Sequence, residues 1–242
     1  MKLYSRFLFT AGFVFLVGGT SLFAVEQSAK DILNKAYQYV GSMDKYAFNA
    51  VVLDDDVEDG VILRQKYRHD VSVKVDRPDK LRVDTKGSIR NRSNYLNDGM
   101  FTMMDHKFGY YALLQTPKTI DGTLDLIFEE YGIKAPLAQM VYSDMDRRFK
   151  FKKSKYFGTM MVGGTECDYV AFSDDTAEVH IWIATGEKPL VKTYSIFDKT
   201  IKGHPALSTS ITWQDNPMIS DSDFIFTAPK DAVEISVVSS NE

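Results

Sequence analysis

The sequence alternates apolar and polar residues in strand-length runs over most of its 242 residues and breaks that pattern at length only once, at residues 116–143. Val71, Val73 and Val75, then Leu81 and Val83, are the plainest case, because side chains two apart share one face of a strand. Similar runs at residues 46–53, 61–68, 93–96, 100–104 and 110–115 precede the break. Others follow at residues 148–157, 159–162, 166–172, 178–184, 190–197 and 207–213, with a last short pair at 224–226 and 233–237. Asn97-Asp98-Gly99 is a hairpin signal, and Gly163-Gly164 and Thr185-Gly186 mark turns in the second half. The expected fold class is therefore mainly β (α+β): a meander of about 11–12 strands forming an antiparallel barrel or a strongly curved sheet.

The break itself has helical periodicity. Ile120, Leu124, Ile127 and Tyr131 fall on one helix face, with Asp121, Asp125 and Glu129 turned mostly away. Thr119 or Asp121 can cap its start, and Gly132 supplies a stop. A second short helix is expected to begin near Pro136 and to show Leu137, Met140 and Val141 on one side. Two amphipathic helices between two sets of strands must cover a sheet. The candidate ligand-contacting residues are thus Leu124, Ile127, Phe128, Leu137, Met140 and Val141, together with Met103 and Tyr111 from the neighbouring strands. Such methionines and aromatics suit apolar ligands of variable shape, and are equally ordinary core filler. A further helix at residues 28–43, with Ile32, Leu33, Ala36, Val40 and Met43 on one face, is expected outside the sheet or at its rim.

Lys2 and Arg6 precede an apolar run at residues 7–17 and then Gly18, Gly19, Thr20 and Ser21, the pattern of a secretory signal peptide. The run is shorter than the roughly 20 residues of a spanning helix. Cleavage is expected after Ala24, or after Ser21, and no cysteine lies nearby to carry a lipid anchor. Residues 25–242 then form one soluble, exported domain with 27 basic and 33 acidic side chains, a charge of −6.

Over most of that length the residues resemble a known group. Asp76-Arg77-Pro78-Asp79-Lys80-Leu81-Arg82-Val83 followed by Asn97-Asp98-Gly99 looks like the hairpin region of periplasmic lipoprotein carriers of the LolA/LolB type. Thr116-Pro117-Lys118-Thr119-Ile120-Asp121, Ala135-Pro136-Leu137-Ala138, Gly163-Gly164-Thr165-Glu166-Cys167-Asp168 and Ile181-Trp182-Ile183 with Pro189-Leu190 resemble an uncharacterised family of predicted periplasmic proteins allied to that fold. The resemblance implies an unclosed β-barrel whose helices lie over the concave face. It implies no reaction and no ligand, and of the carriers' residues only Arg77 and Pro78 transfer, with a structural role as their first reading: Pro78 fixes the chain between strands and Arg77 makes a local salt bridge.

Catalytic patterns are sparse. His69, His106, His180 and His204 are scattered, so neither metal nor cofactor is expected. Residues 54–60 imitate a calcium loop, but Gly60 falls one place late and Gln65 stands where a glutamate should close it; a solvated acidic turn is the expectation. Cys167, in a strand sharing a face with Tyr169 and Ala171, is expected to be a buried hydrophobe. Arg147, Arg148, Lys150, Lys152, Lys153 and Lys155, interleaved with Phe149 and Phe151, read as a strand with aromatics inward and charge outward. That face, chiefly Arg148, Lys150, Lys152 and Lys153, is either a dock for an anionic membrane or acidic protein, or an edge protected by lysines. Nucleic acid is not expected outside the cytoplasm. The leading reading is a periplasmic, non-enzymatic binding protein holding a lipid, an acyl chain or a lipoprotein between curved sheet and helical cover. An envelope interaction module with a filled core comes second, and a cryptic hydrolase third.

Overall fold

The computed structural model describes residues 28–133, 135 and 137–239; the expected signal sequence and the expected helix start at Pro136 lie outside them. Helix α1 (Ala29–Gly41) leads into β1 (Lys45–Glu58), β2 (Val61–Asp76), β3 (Lys80–Gly87), β4 (Asn91–Asn97), β5 (Met100–Asp105) and β6 (Tyr110–Gln115). Then come α2 (Ile120–Glu129), a 3₁₀ turn (Ala138–Met140) and the one-turn α3 (Met145–Arg148). Strands β7 (Lys153–Val162), β8 (Thr165–Ser173), β9 (Ala177–Ala184), β10 (Val191–Asp198) and β11 (Ala206–Trp213) follow. A 3₁₀ turn (Asp221–Phe224) and the two-residue β12 (Val233–Glu234) close the chain.

All twelve strands share one sheet in the order β12-β6-β5-β4-β3-β2-β1-β11-β10-β9-β8-β7. Neighbours pair antiparallel except β12, which runs parallel to β6. No pairing joins β7 to β12 or β6 among the described residues, so the barrel is unclosed. The chain reverses at β1, which pairs with both β2 and β11 and so welds the two meanders together. Asp98 and Gly99, with φ of 48° and 81°, make the two-residue turn between β4 and β5 that a right-handed strand twist favours.

The concave face carries the core, and it has two halves. Over β7–β9, α1 lays Leu33, Ala36, Tyr37 and Val40 against Val170, Phe172, Val179, Ile181 and Ile183, all buried. Ser28 caps α1 by accepting from Asp31 N at 3.2 Å. This corrects the expectation of a rim helix: the apolar stripe of α1 has an apolar sheet face to bury against only on the concave side. Over β2–β5 lie α2 and the segment after it. Thr119 caps α2 by accepting from Gly122 N at 3.1 Å, and Gly132 at φ 62° turns the chain away.

Three more expectations change. The basic stretch is not one strand: Arg147 and Arg148 close α3, where helical spacing brings Arg148 back to Asp144, and β7 begins only at Lys153. Ile225 and Phe226 are not a strand; they follow the 3₁₀ turn and cross the convex face, where Phe226 sits 5.6 Å from the Tyr95 ring and 5.3 Å from that of Tyr111. Lys74 and Lys80 tether this strap through Asp223 and Asp221. Finally, Arg77 makes no ion pair among the described residues. It donates to Met43 O and Tyr46 Oη at 3.2 and 3.0 Å and stacks on the Tyr46 ring, a structural role as expected, with different partners.

The candidate ligand cavity

The space between β2–β5 and the cover is not filled. A cavity of about 160 Å³ lies there. Its floor is Val71, Val73, Leu81, Val83, Phe101 and Met103, inward residues of the three strands β2, β3 and β5, and its roof is Leu124 and Ile127 of α2 with Ile133, Leu137, Ala138 and Val141. One end is different. His69, Thr85, Arg90, Arg92 and Asn94 line it, at the end of the β3–β4 hairpin.

Specific contacts hold the roof. Ile120 N donates to Pro78 O at 2.8 Å, fixing the start of α2 on the β2–β3 turn. Buried Thr116 and Thr123 share a hydrogen bond at 2.8 Å. Asp125 accepts from Tyr142 Oη at 3.0 Å and from both terminal nitrogens of Arg148 at 2.6 and 3.1 Å; Arg148 also pairs with Asp144 and lies 4.1 Å from the Tyr142 ring centre. These charge-assisted, forked bonds are the strong kind. Tyr46, whose hydroxyl pKa burial raises, donates to Met140 O at 2.9 Å.

Of the eight residues singled out for ligand contact, the structure brings five together at the cavity: Met103, Leu124, Ile127, Leu137 and Val141. Met140 is buried beside it, in the packed core. Phe128 is 60% exposed, because it falls on the solvent side of α2. Tyr111 is on the convex face, where its hydroxyl donates to Glu234 at 3.1 Å; alternation along β6 sends its neighbour Ala112 inward instead. Arg148 is committed to the roof, and Lys152 to Asp175. Lys150, Lys153 and Lys155 are exposed, and β7 is an edge of the sheet. The polar end was missed. A His in phase with Val71, Val73 and Val75 was the available signal.

Two other clusters bear on chemistry. The acidic run is the end of β1 and its hairpin turn, with Asp55 accepting from Gln65 N and Ala206 N and pairing with Arg64, which hold its carboxyl below the usual range against the opposing effect of burial. On the convex face, Ser93 Oγ donates to Asp84 at 2.6 Å and lies 2.7 Å from His106 Nε2. The hydroxyl has one proton, so His106 must donate in that second bond. Serine in the middle is the wrong order for a triad, which needs the imidazole to accept from serine and donate to the carboxylate. Cys167 is buried, and burial pushes its thiol pKa up, away from nucleophilic character.

Fold and cavity together define an unclosed, mainly antiparallel barrel with a roofed apolar pocket. The family model described as "Predicted periplasmic protein (DUF2092)" matches residues 29–238. The chain belongs to this family, whose described compartment is the periplasm. Among curated protein sequences none matches. Of solved structures, an uncharacterized conserved protein from Thermus thermophilus superposes with TM-score 0.52 at 10% identity, over 86% of this chain and 98% of that one, which shows a shared fold. The Mycobacterium tuberculosis lipoprotein LppX is similar at TM-score 0.47 and 10% identity, over 80% and 98%. A LolA superfamily protein from Nitrosomonas europaea gives 0.34 and 10%, over 82% and 98%.

Proposed function

We propose that this protein is a non-enzymatic periplasmic binder of an apolar group, a lipid tail or acyl chain, held between β2–β5 and α2. The cavity carries the reading: it is apolar on floor and roof, while the other half of the same concave face is packed. Each methylene moved from water into such a site contributes about 0.8 kcal/mol. Its volume of about 160 Å³ suits a benzene-sized group, as cavities of about 150 Å³ do. A whole lipid needs more room, so the roof between α2 and Val141 must shift outward to admit one. The same small volume favours the second reading, an interaction module, because ligand pockets usually start at about 300 Å³. The deciding experiment is extraction of protein purified from the periplasm, with mass spectrometry of the extract. A stoichiometric lipid supports the binder; its absence, together with no stabilisation of the delipidated protein by any acyl amphiphile, leaves the interaction module.

A further inference from the structure

The polar end of the cavity is built, and nothing in an apolar-binding role uses it. His69 is 3% exposed, lines the cavity, and has no hydrogen-bond partner on either ring nitrogen among the described residues. Leaving buried polar atoms unpaired is costly, so a site that keeps them is shaped for a partner. The ring also has its place prepared: it pairs across the sheet with Gly87, where a Cβ would overlap Nδ1 of His69 and the carbonyl of Arg68.

Two guanidinium groups stand beside it. Arg90 and Arg92 both line the cavity and are both exposed, so they mark its open end. Arg90 makes no ion pair among the described residues. Arg92 pairs with Asp105 through Nε at 3.0 Å, which leaves its outer nitrogens available. The carboxylates nearest these cations, Asp54 and Asp105, stay outside the lining; within it, the hydrogen-bonding side chains are His69, Thr85, Arg90, Arg92 and Asn94. Arg90 and His69 do reach Asp54 electrostatically, so Asp54 takes up part of this positive charge.

Resting on the reading of the cavity as an apolar binding site, we propose that its ligand is a single-chain amphiphile with an anionic oxygen head. The chain lies under Leu124 and Ile127, and the head sits at the mouth, accepting from Arg90, Arg92 and His69. Guanidinium forks match the oxygens of a carboxylate or a phosphate monoester, and the neutral imidazole adds one donor.

The test is calorimetric titration of the delipidated protein with octanoate, octyl phosphate and octan-1-ol at one ionic strength. A charge-assisted head contact predicts binding of one anion about tenfold or more tighter than the alcohol, and which anion wins identifies the head. Arg90→Gln and His69→Gln should erase that preference by weakening the anion toward the affinity of the alcohol. Lys86→Gln, a charge on β3 of opposite phase to His69's partner Gly87, should preserve it. Arg90 is exposed, so its variant keeps the test alive should His69→Gln fail to fold. Equal affinity for anion and alcohol overturns the head placement while sparing the cavity. Loss of the preference in Lys86→Gln reduces it to the general field and overturns it too. If none of the three binds, the cavity reading falls with it.

Discussion

Two leucines in the same core should respond differently to the same truncation. Leu33, on α1, is 1% exposed and packed against the filled half of the concave face; Leu124, on α2, is 6% exposed and faces the cavity. Leucine to alanine removes three carbons, worth roughly 2.4 kcal/mol of transfer free energy at about 0.8 kcal/mol each. At Leu33 the hole left among well-packed neighbours adds to that, for a total of about 3–5 kcal/mol. At Leu124 part of the side chain already lacks neighbours across the void, so there are fewer contacts to lose, and the expected total is about 2 kcal/mol. Urea unfolding of the delipidated proteins reads both, with unchanged slopes showing that stability alone has moved. An acyl amphiphile at a hundred times its dissociation constant should raise wild-type stability by about 2.7 kcal/mol, and should stabilise the Leu33 variant equally. Equal losses at the two positions, with no response to amphiphile, would mean that the space under α2 behaves as solid core.

Replacing Arg148 by Met removes the fork to Asp125, the pair to Asp144 and the stacking on Tyr142. With these groups about a third exposed, denaturant unfolding should show a loss of about 1–2 kcal/mol. His69 has its pKa lowered by burial, then by Arg90, against the pull of Asp54 and Asp70. Below about pH 6.5 the unfolded chain therefore takes up a proton that the folded one refuses, and stability falls with pH until the folded pKa is passed. Urea midpoints between pH 7.5 and 5 should drop less steeply in His69→Gln, and parallel profiles would exclude His69 as the source. Exchanging Lys150, Lys152 and Lys153 for Gln should weaken binding to anionic vesicles if this face docks on membrane, with Lys152 contributing least because Asp175 holds it. Unchanged binding leaves edge protection as the reading for Lys153, which opens the edge strand β7.

Much of the architecture was legible because strand alternation and turn chemistry are local. Asn97-Asp98-Gly99 named its own hairpin, and the period of Ile120, Leu124 and Ile127 named the inner face of α2. What failed was non-local. Nothing in residues 28–43 says which sheet face α1 will choose, since that depends on the wall of Val170, Phe172 and Ile181 assembled about 140 residues later. Residues 147–155 alternate like a strand, but Arg148 finds Asp125 and Asp144 only if residues 145–148 coil, and the tertiary ion pairs override the pattern. Tyr111 was misplaced because alternation gives two faces without saying which is concave.

The same logic explains why the apolar cavity was half visible and its polar end was not. A roof residue such as Leu137 is flagged by hydrophobicity alone, whether it meets a core or a void. His69 carries the opposite signal: in the series His69, Val71, Val73, Val75 it stands at a core position with a polar ring, and the sequence shows neither its unpaired nitrogens nor the bare Gly87 that makes room for it. Arg90 and Arg92 look like ordinary hairpin charges until the β2–β3 register brings His69 opposite Gly87, three residues from Arg90. A polar residue in a buried strand phase, paired across the sheet with glycine and followed by Arg90, which has no ion pair among the described residues, is thus where local rules conflict. The anionic head proposed above would supply the partners that this conflict leaves missing.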